Sequence, residues 1–304
     1  MIEGGVGVDL LTKKYTLIEN PPAIVDEDEY YEKAEIEYQK LLDQELAEDA
    51  YQKFFERNPA FMPGSREVIG AASSHWPIQN ALISQPRLLN DEKLRKPDFM
   101  WIAKNSLKLC PVLIEIEKPS KQEFKKNSDF GQAIFSQAMD QISHWKRILN
   151  SPEGRQDFYE RYNIPDEFRK LTFTPQYVLV YGRRSEYEGD SWLTGVRAEH
   201  ETTDIRIMSF DRLKMPDRNA FDCVTCKVRD GKYYVVNIPP TFVFKPSTIT
   251  AIGGYKEYYE FQDAVDKMEY TSDERKQFLK ERFAYWRAIA DTIHTGRMST
   301  SDKE

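Results

Sequence analysis

Apolar residues recur at two different spacings along the chain, and the change of spacing separates predicted helices from predicted strands. Residues 26–55 carry apolar side chains at helical spacing, and Asn58-Pro59 ends this first helix. A second helix is predicted from residue 128 or 129 to Leu149, along one apolar stripe. Short apolar runs, which predict buried strands, occur at residues 86–89, 99–103, 107–117, 177–181 and 204–210.

The last part of the chain combines a predicted hairpin with two predicted helices. Two apolar runs flank Asp230-Gly231, a pair that favours a tight β-hairpin turn. After a proline-containing linker, helices are predicted at residues 258–268 and 272–293. The second of these is rich in aromatic residues, so it needs a covering surface, which is either the same core or another subunit.

Two acidic residues stand where the pattern predicts buried strands. Val112–Ile116 is aliphatic, β-branched and bounded by prolines, and it contains Glu115; Asp98 heads the run that begins at Phe99. An unpaired carboxylate at the end of an apolar strand costs several kcal/mol, so a metal ion or a cationic partner is expected. Carboxylates from two neighbouring strands would form an oxygen-rich site that suits Mg²⁺ or Mn²⁺.

These residues resemble a known family. Asp98 after Pro97, Glu115 on an apolar strand and a nearby lysine resemble the PD-(D/E)XK nuclease superfamily. The order of the surrounding segments resembles that of Shedu-type anti-phage defence nucleases, from a helix end through an acid strand and a glutamine helix to two later strands. The segments that carry this resemblance are residues 54–59, 115–119, 137–145, 177–183 and 205–213.

The resemblance implies an α/β fold with a PD-(D/E)XK restriction-endonuclease-like core, in which helices flank a central mixed sheet, and helical additions at both ends. The expected divisions are an N-terminal arm with an acidic helix (residues 1–49), the nuclease core (50–215), and the hairpin with C-terminal helices (216–304). The resemblance also implies assembly into a dimer or tetramer, for which the C-terminal region is a candidate.

The chain departs from the family pattern beside Glu115. The usual arrangement is Glu-x-Lys, but Glu117 occupies the third position here and Lys118 follows it. Side chains alternate across a strand, so Glu117 shares a face with Glu115 while Lys118 points away unless the strand bulges or ends. Three alternatives follow: Lys118 swings in, Glu117 adds a third metal-binding carboxylate, or the site has lost its chemistry.

The function that we predict is metal-dependent hydrolysis of a DNA phosphodiester, and the resemblance implies that the substrate is duplex DNA and that the role is anti-phage defence. The metal ligands are predicted to be Asp98, Glu115 and Glu117, and the catalytic set adds Lys118 and Gln141. Gln137 and Gln141 lie one helical turn apart, and the resemblance favours Gln141. Candidate contacts to the DNA backbone are Lys96, Lys104, Lys121 and Arg183.

Composition limits these alternatives without deciding between them. The net charge of −7 argues against a protein that coats nucleic acid, but several lysines cluster around the predicted acids and would attract phosphate. No apolar run approaches the ~18 residues that span a membrane, and no leader pattern follows Met1, so a cytoplasmic protein is expected. The rivals are a DNA-binding nuclease fold with an inactive site and a partner-interaction protein.

Overall fold

A computed structural model of the chain describes residues 15–44, 46–65, 67–68, 71–72, 77–89, 95–124, 136–215, 222–244 and 258–289. The predicted start of the second helix at residue 128 or 129 lies outside these ranges. Within them, no helix is long and apolar enough to cross a membrane.

One mixed sheet of nine strands organises the described residues. The strands of this sheet are β3 (Ala81–Ser84), β4 (Phe99–Lys104), β5 (Lys108–Ile116), β6 (Thr172–Phe173), β7 (Gln176–Val180), β8 (Ile205–Met208), β9 (Val224–Arg229), β10 (Lys232–Asn237) and β11 (Tyr258–Tyr259). Their order is β11-β10-β9-β3-β4-β5-β7-β8, with the short β6 pairing alongside β5. The hairpin β4–β5 and the pair β3–β4 are antiparallel, whereas β5, β7 and β8 run parallel. A separate two-stranded ribbon joins β1 (Glu67–Val68) to β2 (Ala71–Ala72).

Helices cover both faces of this sheet. They are α1 (Glu27–Asp43), α2 (Glu48–Arg57), α3 (Ser136–Asn150), α4 (Pro152–Arg161), α5 (Asp166–Arg169), α6 (Ser191–Glu199), α7 (Phe261–Asp266) and α8 (Asp273–Ile289). The aromatic side chains of α1 and α2 belong to the core on one face, and those of α3, α4 and α8 belong to the core on the other. The fold is therefore α/β with a mixed central sheet flanked by helices.

Strand β5 supplies side chains to both cores because successive residues point to opposite faces. Leu113 packs in the core beneath α3, whereas Val112 and Ile114 pack in the core beneath α1 and α2. By this alternation Glu115 faces α3, and Asp98, two residues before the α3-side residue Met100, faces α3 as well. The strand pattern thus directs both acids to one side of the sheet.

The structure confirms the predicted strands at 99–103, 107–117, 177–181 and 204–210 to within a few residues. The hairpin is also confirmed, and positive φ angles at Asp230 (49°) and Gly231 (72°) suit its two-residue turn. Its strand β9 pairs in parallel with β3, so the hairpin extends the central sheet across the division expected at residue 215. No sequence signal specified this pairing, because β3 and β9 are about 140 residues apart in the chain.

Three local predictions were wrong. The predicted helix at 26–55 is two helices that break between residues 44 and 47, which lets α2 turn back onto the sheet. The strand expected at 86–89 lies earlier, at β3, and residues 86–89 are irregular. Tyr258 and Tyr259 form strand β11 rather than the start of a helix, because they pair with β10 at the sheet edge.

The aromatic C-terminal helix packs within its own chain. Trp286 is fully buried, and the ring of Phe283 stacks on Phe261 with centroids 4.3 Å apart. The buried Arg275 donates a hydrogen bond to the carbonyl of Phe242 at 3.0 Å. Of the two alternatives for this helix, the structure selects the same core, so its aromatic content gives no argument for a second subunit.

Candidate active site

Asp98 and Glu115 meet where hairpin β4–β5 opens. Phe99 pairs with Ile114 in the register of the two strands, which places Asp98 opposite the end of β5. The Asp98 amide donates to the carbonyl of Ile114 at 3.1 Å, and Asp98 Oδ2 accepts from the amide of Ile116 at 2.7 Å. These bonds fix the Asp98 carboxylate beside Glu115, whose side chain is buried.

Helix α3 places a glutamine against the second acid. Gln141 Nε2 donates to Glu115 Oε1 at 2.8 Å. The helix is anchored to the chain before Asp98, since Trp145 Nε1 donates to the carbonyl of Arg95 at 2.9 Å. Gln137, one turn earlier, is exposed, and its amide oxygen, when oriented towards Arg95, accepts from that guanidinium at 2.9 Å. Of the two glutamines, Gln141 is the one that contacts the acid pair.

The environment favours the protonated form of both acids. Burial, together with the negative charges of Asp98, Glu117 and Glu48, raises the pKa of Glu115 to about 10, against the hydrogen bond from Gln141. Burial, with the negative charges of Glu48 and Glu117, likewise raises the pKa of Asp98 to about 7, although hydrogen bonds from the Ile116 amide and the Glu115 carboxyl group act in the opposite direction. Two neighbouring carboxyl groups with raised pKa values will bind either protons or a cation.

Glu115 retains an unsatisfied oxygen in this arrangement. Its Oε2 is buried and has no hydrogen-bond partner among the described residues. Nor do those residues contain a group of three or more His, Cys, Asp or Glu side chains arranged to hold a metal. The available donors are the carboxylates of Asp98 and Glu115, and one or two carboxylates are a typical protein contribution to a Mg²⁺ site.

Glu117 lies beside the acid pair but is held by a lysine. Its amide donates to the carbonyl of Val180 at 2.9 Å, which continues the pairing with β7 just beyond the end of β5. Its Oε2 lies 2.8 Å from Lys121 Nζ, and 16% of its side-chain surface is exposed. Lys118, on the turn after β5, is exposed. The strand therefore ends just before Lys118, the lysine that was predicted to turn towards the acid pair.

One charged residue that the sequence pattern did not single out belongs to this site. Glu48, in the first turn of α2, adds negative charge that raises the pKa of both Asp98 and Glu115. Burial and Glu117 raise the pKa of Glu48, and the nearby cations Lys118, Lys121 and Arg95 act in the opposite direction. In the sequence, Glu48 is one of many acids between residues 25 and 49, and nothing marks it out. Only the return of α2 onto the sheet brings it here.

The predicted DNA contacts separate into different parts of the fold. Lys121 lies at the acid site, and Lys96 is exposed two residues before Asp98. Lys104 lies at the opposite end of β4, roughly 20 Å away at the usual rise per residue, with Nζ 4.4 Å from the ring centroid of Phe168. The structure therefore does not bring Lys104 to the predicted site, because a hairpin strand carries its two ends to opposite edges.

Arg183 makes contacts within the protein. Its Nε donates to Asp211 Oδ1 at 2.9 Å, and its Nη1 donates to the carbonyl of Leu42 at 3.3 Å. These bonds fasten the end of α1 to the segment after β8. About a third of the Arg183 side chain is exposed. The part of the guanidinium that faces the protein already forms the two hydrogen bonds to Asp211 and Leu42.

Comparison with known proteins identifies the middle of the chain. The model of a family described as "Shedu protein SduA, C-terminal" matches residues 45–213, which is more than half of the 304 residues. No curated protein matches the chain. The matched range begins before α2 and ends after β8, so it contains Glu48, Asp98, Glu115, Glu117 and Gln141.

Proposed function

The chain belongs to the Shedu family through the C-terminal region of SduA, and from this premise we propose that it is a metal-dependent endonuclease that cuts or nicks duplex DNA. Family membership supports a role in anti-phage defence, which we place in the cytoplasm. We further propose that its core is of the PD-(D/E)XK type. The succession of an antiparallel hairpin, a helix and a parallel strand in β4, β5, α3 and β7 supports that assignment.

The observation that carries the proposal is the buried acid pair with its glutamine. Asp98 and Glu115 come from adjacent strands and face the same helix. The negative charge of Asp98 raises the pKa of Glu115, whereas a hydrogen bond from the Glu115 carboxyl group lowers the pKa of Asp98. A divalent cation would take the place of the proton that this pair binds, and the buried Oε2 of Glu115, which accepts no hydrogen bond among the described residues, is available as a ligand. Burying such a pair without a cation would cost stability and serve no structural purpose that the contacts reveal.

Asp98 and Glu115 would hold Mg²⁺ or Mn²⁺ in this proposal. When bound, the ion would supply Lewis-acid chemistry at a phosphoryl oxygen and lower the pKa of a water. Gln141 orients Glu115 by donating to Oε1, and this leaves Oε2 for the ion. The main-chain amide of Ile116 fixes Asp98 in the same way. Nearby cations, including Arg95, favour approach of the phosphate backbone.

A cleavage assay with metal and acid variants tests the proposal. Purified protein is incubated with supercoiled plasmid and linear duplex in Mg²⁺, Mn²⁺ or EDTA, alongside Glu115→Ala and the exposed-site control Glu199→Ala. We expect nicks or breaks that require metal, disappear in Glu115→Ala and persist in Glu199→Ala. Cleavage that continues unchanged in EDTA or in Glu115→Ala would reject the proposed site.

Glu117 favours one rival, a DNA-binding module that has kept the fold but lost the chemistry. A carboxylate stands at the strand position where the family resemblance expects lysine. Gel-shift or anisotropy measurements distinguish this rival: duplex binding without cleavage in any metal would support it. Absence of DNA binding would instead favour a protein whose partner is another protein, and the predicted dimer or tetramer would then be the first assembly to examine.

A further inference from the structure

We propose that Lys121 is the catalytic lysine of this site and that Glu117 holds it in place. The inference rests on the proposed nuclease function and assigns a role within that same site. It also resolves the three alternatives that Glu117 leaves open in the sequence. Glu117 occupies the strand position that lysine usually fills, and the lysine that it binds, Lys121, lies on the turn that follows.

The first argument is the position of the two candidate lysines. Lys121 Nζ forms an ion pair with Glu117 at 2.8 Å, and the ammonium also lies 5.4 Å from the ring centroid of Tyr181. Tyr181 is fully buried at the end of β7, next to the acid strand. Lys118, at the start of the turn, is exposed, although its charge, like that of Lys121, acts on Glu48. Of the two, Lys121 has the defined, partly buried position that a catalytic cation requires.

The second argument is the distribution of charge around Glu117. Glu117 continues the pairing with β7 two residues after Glu115, so its side chain lies on the same face of the strand as the acid pair. The Lys121 ammonium, which is paired with Glu117, therefore lies at the edge of the acid pair. A cation bound by that pair would attract the scissile phosphate to the same place. If Glu117 were instead a metal ligand, Lys121 would have to leave it.

The third argument is that several bonds fix the turn carrying Lys121. The Lys121 amide donates to the carbonyl of Lys118 at 3.0 Å, and Tyr181 donates to the carbonyl of Gln122 at 3.2 Å. The Glu186 carboxylate accepts from the amide of Glu123 at 2.8 and 2.9 Å and from the amide of Phe124 at 2.8 Å. This number of bonds to one short segment indicates a preorganised position for Lys121.

A glycine permits this close approach. Gly182 has φ of 61°, and a Cβ at this position would lie 3.3 Å from the Lys121 carbonyl oxygen and 3.6 Å from Glu186 Oε2. A side chain would therefore meet both backbone strain and crowding. The absence of a side chain at Gly182 therefore lets the chain after β7 pack closely against the turn that contains Lys121.

A buried ion pair completes the support, and we assign Arg197 of α6 as a positioning residue. Its guanidinium donates to the carboxylate of Glu123, two residues after Lys121, and the Glu123 side chain is fully buried. The Arg197 guanidinium also lies 4.6 Å from the ring centroid of Tyr187. Removal of one member of a buried ion pair leaves an uncompensated charge, so loss of Arg197 should release the turn.

The chemical role follows from charge. Hydrolysis adds water across one P–O bond, which yields a phosphate monoester and an alcohol, and negative charge increases on the phosphoryl oxygens as that bond breaks. The Lys121 ammonium keeps its proton and donates a hydrogen bond to one of those oxygens. Because this interaction strengthens in the transition state, it should raise the cleavage rate more than the affinity for DNA.

The main test compares single-turnover nicking rates of Lys121→Ala, Lys118→Ala and the distant exposed control Lys170→Ala in Mn²⁺. We expect Lys121→Ala to lower the rate by about 10²- to 10³-fold, the size of effect seen when one transition-state donor is removed. Duplex affinity in Ca²⁺ should change by less than about threefold in that variant, because binding involves many phosphate contacts. Lys118→Ala should lose much less activity.

A rescue experiment adds a readout that loss of structure would not imitate. Glu117→Lys introduced into Lys121→Ala returns a lysine to the strand position, and we expect it to recover at least about tenfold of the lost rate. Recovery would support the assignment. Failure to recover, with melting temperature and DNA affinity intact, would overturn it, as would a larger loss in Lys118→Ala than in Lys121→Ala.

Arg197 is tested through a double-mutant cycle, at a temperature where circular dichroism shows all variants folded. Arg197→Ala should lower the rate, and Arg197→Ala combined with Lys121→Ala should be no slower than Lys121→Ala alone. If the fold-losses in rate of the two single variants multiply in the double variant, Arg197 does not act through Lys121. Glu123→Gln replaces Arg197→Ala if the latter fails to fold.

The outcomes also separate this inference from the function on which it rests. If the wild-type protein cleaves DNA and Lys121→Ala cleaves at the same rate, only the assignment of Lys121 is rejected. If the wild-type protein cleaves nothing in Mg²⁺ or Mn²⁺, the proposed nuclease function fails and the assignment falls with it.

Discussion

At the scale of single residues, Glu115 is the clearest departure from what stability alone would favour. It lies on an apolar strand in a position that an aliphatic residue would fill, and burial and neighbouring acids raise its pKa to about 10. An unfolded glutamate has a pKa near 4.3. The folded state therefore binds the Glu115 proton more tightly than the unfolded state does. The resulting contribution to the free energy of unfolding is fully present below about pH 4 and is lost as the pH rises towards 10.

Glu115→Gln should accordingly stabilise the protein in EDTA at pH 8, by about 1–3 kcal/mol in the free energy of unfolding. The effect should largely disappear at pH 5, where little of the pH-dependent cost has accumulated. Urea denaturation at the two pH values measures both quantities, with Glu199→Gln on the exposed side of α6 as the control. An equal decline in stability with pH for the wild type and Glu115→Gln would contradict the prediction.

At the scale of elements, helix α3 determines which glutamine contacts Glu115. Its apolar stripe packs into the core, and the bond from Trp145 to the Arg95 carbonyl sets its rotation. Gln141 then faces Glu115, while Gln137 points outward towards Arg95. The sequence shows only that the two lie one turn apart, which does not distinguish them without the family resemblance.

Gln141→Ala should weaken Mn²⁺ binding by roughly 10-fold or more, because loss of a residue that orients a metal ligand typically costs 10- to 100-fold in affinity. Gln137→Ala should leave the affinity within about twofold. Titration of Mn²⁺, followed by electron paramagnetic resonance or calorimetry, compares the two variants. Equal losses would mean that the helix matters only for stability and that Gln141 does not orient Glu115.

At the scale of the whole molecule, the C-terminal region is part of the core that supports the site. Helix α8 buries Trp286 within the chain, and the hairpin β9–β10 extends the same sheet that carries the acids. The predicted dimer or tetramer therefore rests on the family resemblance, since the aromatic residues that suggested it are covered by their own chain.

Trp286→Ala should destabilise the protein by about 3–5 kcal/mol, the usual cost of truncating a buried tryptophan. Its molar mass in solution should equal that of the wild type at a temperature where both are folded. Denaturation and light scattering test these expectations, with Tyr270→Ala as an exposed aromatic control. A stable variant with a lower mass would instead place Trp286 between subunits.

The sequence by itself determined the elements whose residues interact locally. Periodicity predicted β4, β5, β7 and β8, the hairpin turn at Asp230-Gly231 and the body of α3, and the acids on apolar strands marked Asp98 and Glu115. These succeed because spacing along one strand or helix decides which face a side chain occupies.

Only the tertiary structure decided which distant residues join the site. The break between α1 and α2 brings Glu48 to the acids, hairpin geometry carries Lys104 to the far edge, and the turn after β5 offers Lys121 rather than Lys118 to Glu117. The parallel pairing of β3 with β9 belongs to the same class. Such choices depend on packing between segments that are remote in the chain, where local propensity carries no information.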